Sequence, residues 1–190
     1  MRSKIILWCA AVLLIAVCAG KLSAETEKPA QGKTAVVYFS QTGNTRAACE
    51  VLAKELSADI FELKVAKPPA AKGQLPEIEP SRIDLSPYSC IVVASPIWAA
   101  NLVPAVQAFL KNNPLEGRKA VILTTTNVPM PDEFQNKHKQ LVADAGGSVA
   151  GYYQIIAQEQ KDGTALDRTH DDIRGDAGAI AAEIKNNLVQ

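Results

Sequence analysis

A hydroxyl-rich turn near the start of the chain offers the hydrogen-bond donors that a phosphate group needs. Five apolar residues, Ala35–Phe39, predict a strand buried on both faces, as in a parallel sheet. The polar turn Ser40–Thr45 follows directly, with one glycine and the hydroxyl groups of Ser40, Thr42 and Thr45. A helical pattern begins where the turn ends, and backbone N–H groups at a helix N-terminus attract anions. The turn holds no lysine, which excludes a nucleotide-triphosphate loop.

The second of three loops carries a side chain that suits a flat aromatic ligand. The apolar run Cys90–Ala94 predicts a buried strand, and the loop Ser95–Asn101 after it contains Trp98. An indole ring can stack on a planar heterocycle and bury apolar area. A third loop, Thr125–Pro131, follows the predicted strand Lys119–Thr124. Together these segments predict a site for a ligand that has both a phosphate group and an aromatic ring.

Strands and helices alternate along the chain, so these loops are expected at one edge of a parallel sheet. Asp59–Val65 alternates in the manner of an edge strand, and Gly151–Ala157 is predicted as the last strand. Helical spacing predicts helices over Thr45–Leu56, Pro104–Asn112, Asp132–Ala145 and Leu166–Leu188. Residues 66–87 are rich in proline and predict an extended connection. The alternation predicts right-handed crossovers and a three-layer α/β fold whose ligands bind beyond the carboxyl ends of the strands.

Each motif also has an ordinary structural interpretation. Asn44 or Thr45 could cap the first helix without binding a ligand, and Trp98 could be a core or surface residue. Both motifs stand directly after buried strands, which favours one shared ligand over two unrelated turns.

The same two loops resemble the cofactor-binding loops of the flavodoxins. Ser40-Gln41-Thr42-Gly43-Asn44-Thr45 resembles their FMN phosphate loop, and Ser95-Pro96-Ile97-Trp98 resembles the segment after their third strand. The resemblance covers residues 34–188 and implies FMN as cofactor. It also implies a doubly wound α/β/α sandwich with a five-stranded parallel sheet in the order 2-1-3-4-5. The cofactor-binding residues that it implies are Ser40, Gln41, Thr42, Gly43, Asn44, Thr45, Ser95, Pro96, Ile97, Trp98, Ala99, Asn101, Thr125, Thr126 and Asn127.

The chain departs from the flavodoxin pattern around the flavin ring. Flavodoxins typically have a glycine near flavin N5, which allows a backbone flip that stabilises the one-electron-reduced flavin; Ala99 and Ala100 stand in that region here. A positive φ is costly for alanine, so the resemblance implies a poorly stabilised one-electron state. The third loop leaves Met130, Val128 or no residue to cover the second flavin face. Neither residues 95–101 nor residues 125–131 include an acid, which predicts a less reducing flavin than in an acidic electron carrier.

Residues 1–24 have the pattern of a cleavable secretory signal peptide. A positive start and the apolar run Ile5–Ala19 precede the small residue Ala24 and a polar segment. The run is short for a membrane span, which needs about 20 residues. A retained anchor and a lipoprotein signal with Cys18 as the lipidated residue stay open as alternatives. We predict export to the periplasm or the exterior, with membrane contact only through an uncleaved signal.

Composition and the remaining polar residues narrow the classes of function. Of the 190 residues 47% are hydrophobic, enough for a full core, and the formal charge of zero indicates no nucleic-acid partner. After the signal we predict a polar leader over residues 25–33 and one domain over residues 34–190. Cys49 and Cys90 are expected as separate core thiols. No metal-ligand spacing surrounds His138 or His170, so both are expected on helix faces, and Arg46 is expected to point away from the ligand.

The sequence therefore predicts an exported FMN-binding electron-transfer protein. Its expected partner is a redox protein or a small quinone-like acceptor, and its oligomeric state is left open. One alternative is an NAD(P)H-dependent FMN quinone reductase, which the missing glycine favours and the absence of a recognisable nicotinamide motif disfavours. A second alternative is a binding module that keeps the fold without a flavin.

Overall fold

The apolar runs form strands and the helical repeats form helices in the computed structural model, which describes residues 32–188. The strands are β1 Lys33–Tyr38, β2 Asp59–Glu62, β3 Lys64–Lys67, β4 Glu77–Glu79, β5 Tyr88–Trp98, β6 Asn101–Leu102, β7 Lys119–Thr126, β8 Ser148–Ile156, β9 Gln158–Lys161 and β10 Thr164–Asp167. The helices are α1 Asn44–Leu56, α2 Pro104–Asn112, α3 Asp132–Asp144 and α4 His170–Leu188. The predicted signal peptide lies outside the described residues. Within residues 32–188 no helix is long and apolar enough to cross a membrane.

Five parallel strands build the central sheet in the order β2-β1-β5-β7-β8. Leaving out the short strands, this is the predicted order 2-1-3-4-5, so the predicted α/β class and topology are confirmed. The strand count is higher than predicted, because β6 pairs antiparallel with the end of β5 and two separate hairpins, β3–β4 and β9–β10, are present.

The central strands are apolar throughout because both of their faces are covered. Along β1, Ala35 and Val37 join the core beneath α2 and α3, whereas Val36 and Tyr38 join the core beneath α1 and α4. Apolar residues at helical spacing are buried, among them Ala48 and Leu52 of α1 and the α4 residues Ile173, Ala177, Ile180, Ala181 and Ile184. Three layers with two cores result.

The prediction of a single strand over Asp59–Val65 is wrong. β2 ends at Glu62, and the buried Leu63 donates its N–H to the carbonyl of Tyr38 at 2.7 Å. From Lys64 the chain leaves the sheet and pairs with β4 as an antiparallel hairpin. The edge position of β2 allows this departure, since no strand holds its other side. The absence of a helix from the proline-rich connection agrees with the prediction.

The prediction that the last helix begins at Leu166 is also wrong. Asp162 and Gly163 have φ values of 51° and 78° and turn the chain between β9 and β10. Thr169 then forms a reciprocal cap with Asp172. The hydroxyl of Thr169 accepts the N–H of Asp172 at 3.2 Å, while the Asp172 carboxylate accepts the N–H of Thr169 at 2.9 Å. The helix therefore begins at His170.

Candidate functional site

Three loops meet at the carboxyl edge of the sheet, which we call the rim. Its segments are the turn Ser40–Gly43 after β1, the Ala99–Ala100 turn after β5, and the loop 127–131 after β7. β5 lies between β1 and β7 in the sheet. The topology therefore brings together the three segments that the sequence singles out.

The N-terminus of α1 presents unused backbone donors to the rim. Gly43 is its N-cap, with a φ of 97°, so neither Asn44 nor Thr45 occupies the capping position. The hydroxyl oxygen of Ser40 accepts the N–H of Arg46 at 3.2 Å. The helix does not use the N–H groups of Gly43, Asn44 and Thr45. Its first turn contains no acid, so donors and helix dipole suit an anion.

His170 lies against this turn, which sequence reasoning missed. A β-carbon built on Gly43 would lie 2.9 Å from Cε1 and 3.0 Å from Nε2 of the His170 ring. Gly43 is therefore needed both for its left-handed φ and for the close approach of the imidazole. The Thr169-x-x-Asp172 spacing was the available signal, since a capping box places the next residue, His170, at the start of a helix.

Two buried hydroxyl groups join the N-terminus of α1 to the end of β7, just below the rim. The hydroxyls of Thr45 and Thr125 share a hydrogen bond of 2.8 Å. The prediction that a loop begins at Thr125 is wrong, because β7 continues to Thr126, which pairs with Ile156 of β8. Thr126 donates its hydroxyl to the carbonyl of Val128 at 3.0 Å. Thr125 and Thr126 thus stabilise the rim from the end of β7.

The segment predicted as the loop Ser95–Asn101 is mostly strand, which corrects that prediction. β5 continues through Trp98, and Trp98 pairs with Asn101 of β6 across a two-residue turn. Pro96 is compatible with the strand because β1 ends opposite Ala94, so no neighbour on that side needs its missing N–H. Ser95 is fully buried. It donates its hydroxyl to the Pro96 carbonyl at 2.7 Å and accepts the Val103 N–H at 3.0 Å.

The turn between β5 and β6 has a backbone that alanine rarely adopts. Ala99 and Ala100 have φ values of 45° and 62°, the pattern of a type I′ turn, where Asn and Gly are preferred. The left-handed region costs an L-residue about 1–2 kcal/mol. Two side chains hold the turn: Nδ2 of Asn101 donates to the Ala99 carbonyl at 2.7 Å, and Nε2 of His138 bonds to the Ala100 carbonyl at 3.0 Å.

His138 is a fully buried residue of α3 with a defined tautomer. A carbonyl oxygen only accepts, so Nε2 carries the hydrogen that is donated to Ala100. Nδ1 then accepts the hydroxyl of Tyr152 at 2.8 Å. Burial lowers the pKa of His138 below its ordinary value, with the bond to Ala100 opposing this shift, and burial raises the pKa of Tyr152. The imidazole is therefore a neutral donor to the rim. His138 lies on a helix face, as predicted, but sequence reasoning missed this contact.

Trp98 is the aromatic surface of the rim. Its side chain is 43% exposed, and its ring meets the ring of Phe39 edge-on, with centroids 5.9 Å apart and planes at 88°. Phe39 directly precedes the Ser40–Gly43 turn. The contact packs the indole against the residue that precedes this turn and leaves part of it available for stacking.

The remaining predicted ligands differ in accessibility. Gln41, Thr42 and Asn127 are exposed, whereas Pro96 and Ile97 are half-buried. On the third segment, Val128 is 60% exposed, but Met130 is buried and its N–H is held by Gln154 at 2.6 Å. Of the two candidates to cover a ring, Val128 is the accessible one.

Charged and thiol groups near the rim are occupied or buried. Arg46 forms an ion pair with Glu62, which raises the pKa of the guanidinium. This is consistent with its predicted orientation away from the ligand. Cys49 and Cys90 are both free and buried, as predicted. Burial raises the pKa of Cys90 to about 11 and that of Cys49 well above its ordinary value, so neither is a reactive thiolate.

Two cavities lie away from the rim. One, of about 390 Å³, lies between α2 and α3, and another, of about 410 Å³, lies beside β4. Neither is lined by a rim residue. A planar ligand that stacks on an exposed ring binds at a shallow edge and not in an enclosed cavity. We therefore locate the candidate site from the unused N–H groups of α1 and from Trp98.

Comparison with protein families agrees with this geometry. The family model of the flavodoxin domain matches residues 35–157, from β1 to the end of β8. This chain belongs to the flavodoxin-domain family. The matched residues include all three segments of the rim. The unused N–H groups of α1 and the Trp98 side chain therefore lie within the flavodoxin domain. A comparison with curated proteins finds no match.

Solved structures share the flavodoxin-domain fold at low identity. A Lactobacillus acidophilus flavoprotein in complex with FMN is 18% identical, with a TM-score of 0.53 over 65% of this chain and 93% of that one. A Bacteroides uniformis protein, named as a candidate flavoprotein, is 17% identical, with a TM-score of 0.59 over 76% and 96%. Megasphaera elsdenii flavodoxin is 19% identical, with a TM-score of 0.50 over 78% and 98%.

Proposed function

We propose that this flavodoxin-domain protein binds FMN at the rim and works as an exported electron-transfer protein. The observation that carries the proposal is the pairing of unused α1 donors with an exposed indole on the neighbouring strand. The L. acidophilus relative, whose structure is named as a complex with FMN, supports the choice of ligand.

The rim residues fit the two ends of FMN. The N–H groups of Gly43, Asn44 and Thr45 and the hydroxyls of Ser40 and Thr42 would hold the phosphate. A phosphate dianion needs several donors and no nearby free carboxylate, and the turn meets both conditions.

The isoalloxazine ring of FMN would contact the second and third segments of the rim. Trp98 would stack on the isoalloxazine, while the backbone of Ala99, Asn101, Thr126 and Asn127 would meet its polar edge. When bound, FMN supplies a group that accepts and releases one or two electrons. Trp98 and Val128 are partly exposed, so a redox protein or a small quinone-like acceptor could approach the ring from solvent.

An NAD(P)H-dependent quinone reductase is the second candidate. The held Ala99–Ala100 turn favours it, because a backbone fixed by two side-chain donors adapts poorly to different charge states of a ring. Stopped-flow mixing with NADPH and a quinone separates the candidates. Rapid NADPH oxidation would support the reductase. A protein that is reduced only by a partner protein or dithionite would support the carrier.

FMN binding itself is tested with the purified domain. Adding apoprotein to FMN should quench flavin fluorescence and yield a yellow protein. Trp98→Ala should weaken binding on the order of tenfold, since one aromatic stacking contact is lost, while thermal unfolding stays nearly unchanged. A colourless protein that ignores FMN would favour the flavin-free binding module, and unchanged affinity in Trp98→Ala would remove Trp98 from the site.

Export is part of the same proposal. The N-terminal sequence of the protein from its natural cell envelope or medium should begin at Glu25, after the predicted signal. An intact N-terminus in the membrane fraction would favour the retained anchor. A chain that begins with a lipidated Cys18 would favour the lipoprotein alternative.

A further inference from the structure

The Ala99–Ala100 turn has an unfavourable backbone that its own residues do not explain. Both residues have positive φ, and neither is glycine or asparagine. A two-residue turn of this kind normally draws its stability from Asn-Gly or Gly-Gly. Positive φ at two successive alanines persists only when surrounding contacts determine it. The groups that contact the turn must therefore stabilise the positive φ of Ala99 and Ala100.

The two carbonyl groups of the turn are held by different parts of the molecule. Asn101 holds the Ala99 carbonyl from within the hairpin, a local contact that moves with it. His138 holds the Ala100 carbonyl from α3. The imidazole is anchored in turn, because it is fully buried and Tyr152 of β8 bonds to its Nδ1. Among residues 32–188, His138 is the one group outside the hairpin that hydrogen-bonds to a carbonyl of the turn.

We propose that His138 is a positioning residue that fixes the Ala99–Ala100 turn for flavin binding through its hydrogen bond to the Ala100 carbonyl. The proposal rests on FMN as the ligand, but the held turn exists without it. In this role the imidazole acts through the Ala100 carbonyl and not by contact with the flavin ring. It sets the orientation of the Ala100–Asn101 peptide, in the turn that follows Trp98, so that the backbone next to the flavin is preorganised.

Two substitutions at His138 separate its two hydrogen bonds. A glutamine amide reaches about as far as Nε2, so His138→Gln keeps a donor for the Ala100 carbonyl. An asparagine amide reaches about as far as Nδ1, so His138→Asn keeps an acceptor for Tyr152 and loses the bond to Ala100. Both variants remain polar at a buried site, which limits nonspecific destabilisation.

A second background makes the test independent of packing. Replacing Ala99→Asn and Ala100→Gly together produces an Asn-Gly turn, which adopts positive φ without help. In that background the turn no longer needs His138. A packing defect caused by His138→Asn would persist in both backgrounds, whereas a positioning effect would disappear in the second.

The first measurement is amide hydrogen exchange at Ala100 and Asn101 in the apoprotein, which does not depend on FMN. His138→Asn should speed exchange on the order of tenfold in the natural background, as expected for one lost hydrogen bond. His138→Gln should exchange like the wild type, and the Asn-Gly background should suppress the effect. Equal acceleration in both backgrounds, or in both the Gln and Asn variants, would overturn the proposal.

The second measurement is the dissociation constant of FMN by fluorescence quenching. His138→Asn should weaken binding on the order of tenfold with the alanine turn and less than about twofold with the Asn-Gly turn. The same loss in both backgrounds would overturn the positioning role. If wild-type protein ignores FMN, the proposed function fails, while the exchange experiment still decides whether His138 holds the turn.

Discussion

At the scale of single residues, the candidate phosphate site contains an imidazole that the sequence motif does not include. His170 packs over Gly43 at the N-terminus of α1. The two acids beside it are already engaged, since Asp171 pairs with Arg174 and Asp172 bonds to Thr169. The imidazole therefore lies next to Gly43, where its N–H could donate a hydrogen bond to a phosphate.

We predict that His170→Gln weakens FMN binding about threefold to tenfold, because one hydrogen bond or charge contact to the phosphate is weakened. Riboflavin, which lacks the phosphate, should bind both proteins equally. Fluorescence titration with the two ligands measures this difference. His170→Lys serves as the matched control, since it keeps an N–H donor at this position. An equal loss for riboflavin would show that the ring only packs on the turn.

The buried His138 predicts a pH dependence of stability. Its folded pKa is lowered from an ordinary value near 6.5, chiefly by burial, and Lys139 stands over the partner ring of Tyr152. The unfolded chain takes up the proton first as the pH falls. The contribution of neutral His138 to the free energy of unfolding is therefore complete above pH 6.5. It is lost as the pH falls from there through the folded pKa. The slope is at most about 1.4 kcal/mol per pH unit for one proton.

Urea unfolding at a series of pH values measures this effect. The free energy of unfolding should be flat near pH 7–8 and fall below about 6.5. His138→Gln, which does not titrate, is the control and should have a flatter profile in that range. A profile that is the same in both proteins would assign the pH dependence to other groups.

At the scale of elements, short polar signals decide where strands and helices end. α4 begins at His170 because Thr169 and Asp172 cap it, although the apolar pattern extends toward Leu166. The β9–β10 hairpin occupies those earlier residues through its Asp162-Gly163 turn. The cap also sets the position of His170 at the rim, so it links local structure to the site.

Thr169→Ala should lower the free energy of unfolding by about 1 kcal/mol, because the first turn of α4 loses its side-chain cap. Chemical denaturation monitored by circular dichroism checks this value. Thr169→Ser is the matched control and should retain most of the stability, since its hydroxyl can form the same bonds. If alanine and serine behaved alike, the cap would not contribute to the stability of the helix.

At the scale of the whole molecule, the charge around the rim predicts the redox behaviour of a bound flavin. Residues 95–101 and 127–131 carry no acid, and Glu62 near the first segment is paired with Arg46. Adding electrons to a flavin creates negative charge, which nearby carboxylates would oppose. Their absence should leave the flavin less reducing than in a carrier with an acidic rim.

Spectroelectrochemical titration of the FMN-loaded protein measures this property. Asn127→Asp adds a carboxylate at the exposed third segment and should lower the potential of the fully reduced couple. Gln74→Glu, on the connection before β4, adds the same charge outside the rim and is the control. A very low potential in the natural protein would contradict the expectation, as would equal shifts in the two variants.

Sequence patterns predicted the fold class and the edge of the sheet at which the candidate site lies. Runs such as Ala35–Phe39 and Cys90–Ala94 are apolar at every position, and only strands covered on both faces tolerate that. Strands that alternate with helices must be parallel, so their carboxyl ends meet at one edge. The polar turn and Trp98, each at the end of such a strand, were therefore predictable at the same edge, and the resemblance to the flavodoxins implied that their strands are neighbours.

Only the tertiary structure decided which groups hold the rim. His138 is distant in sequence from Ala100, and Thr45 is distant from Thr125, so no local pattern could join them. The lengths of β5 and β7 also depended on partners, because a strand continues for as long as its neighbour supplies a ladder. Periodicity reports which face of an element is buried, but hydrogen bonds between distant segments form only after the layers have packed.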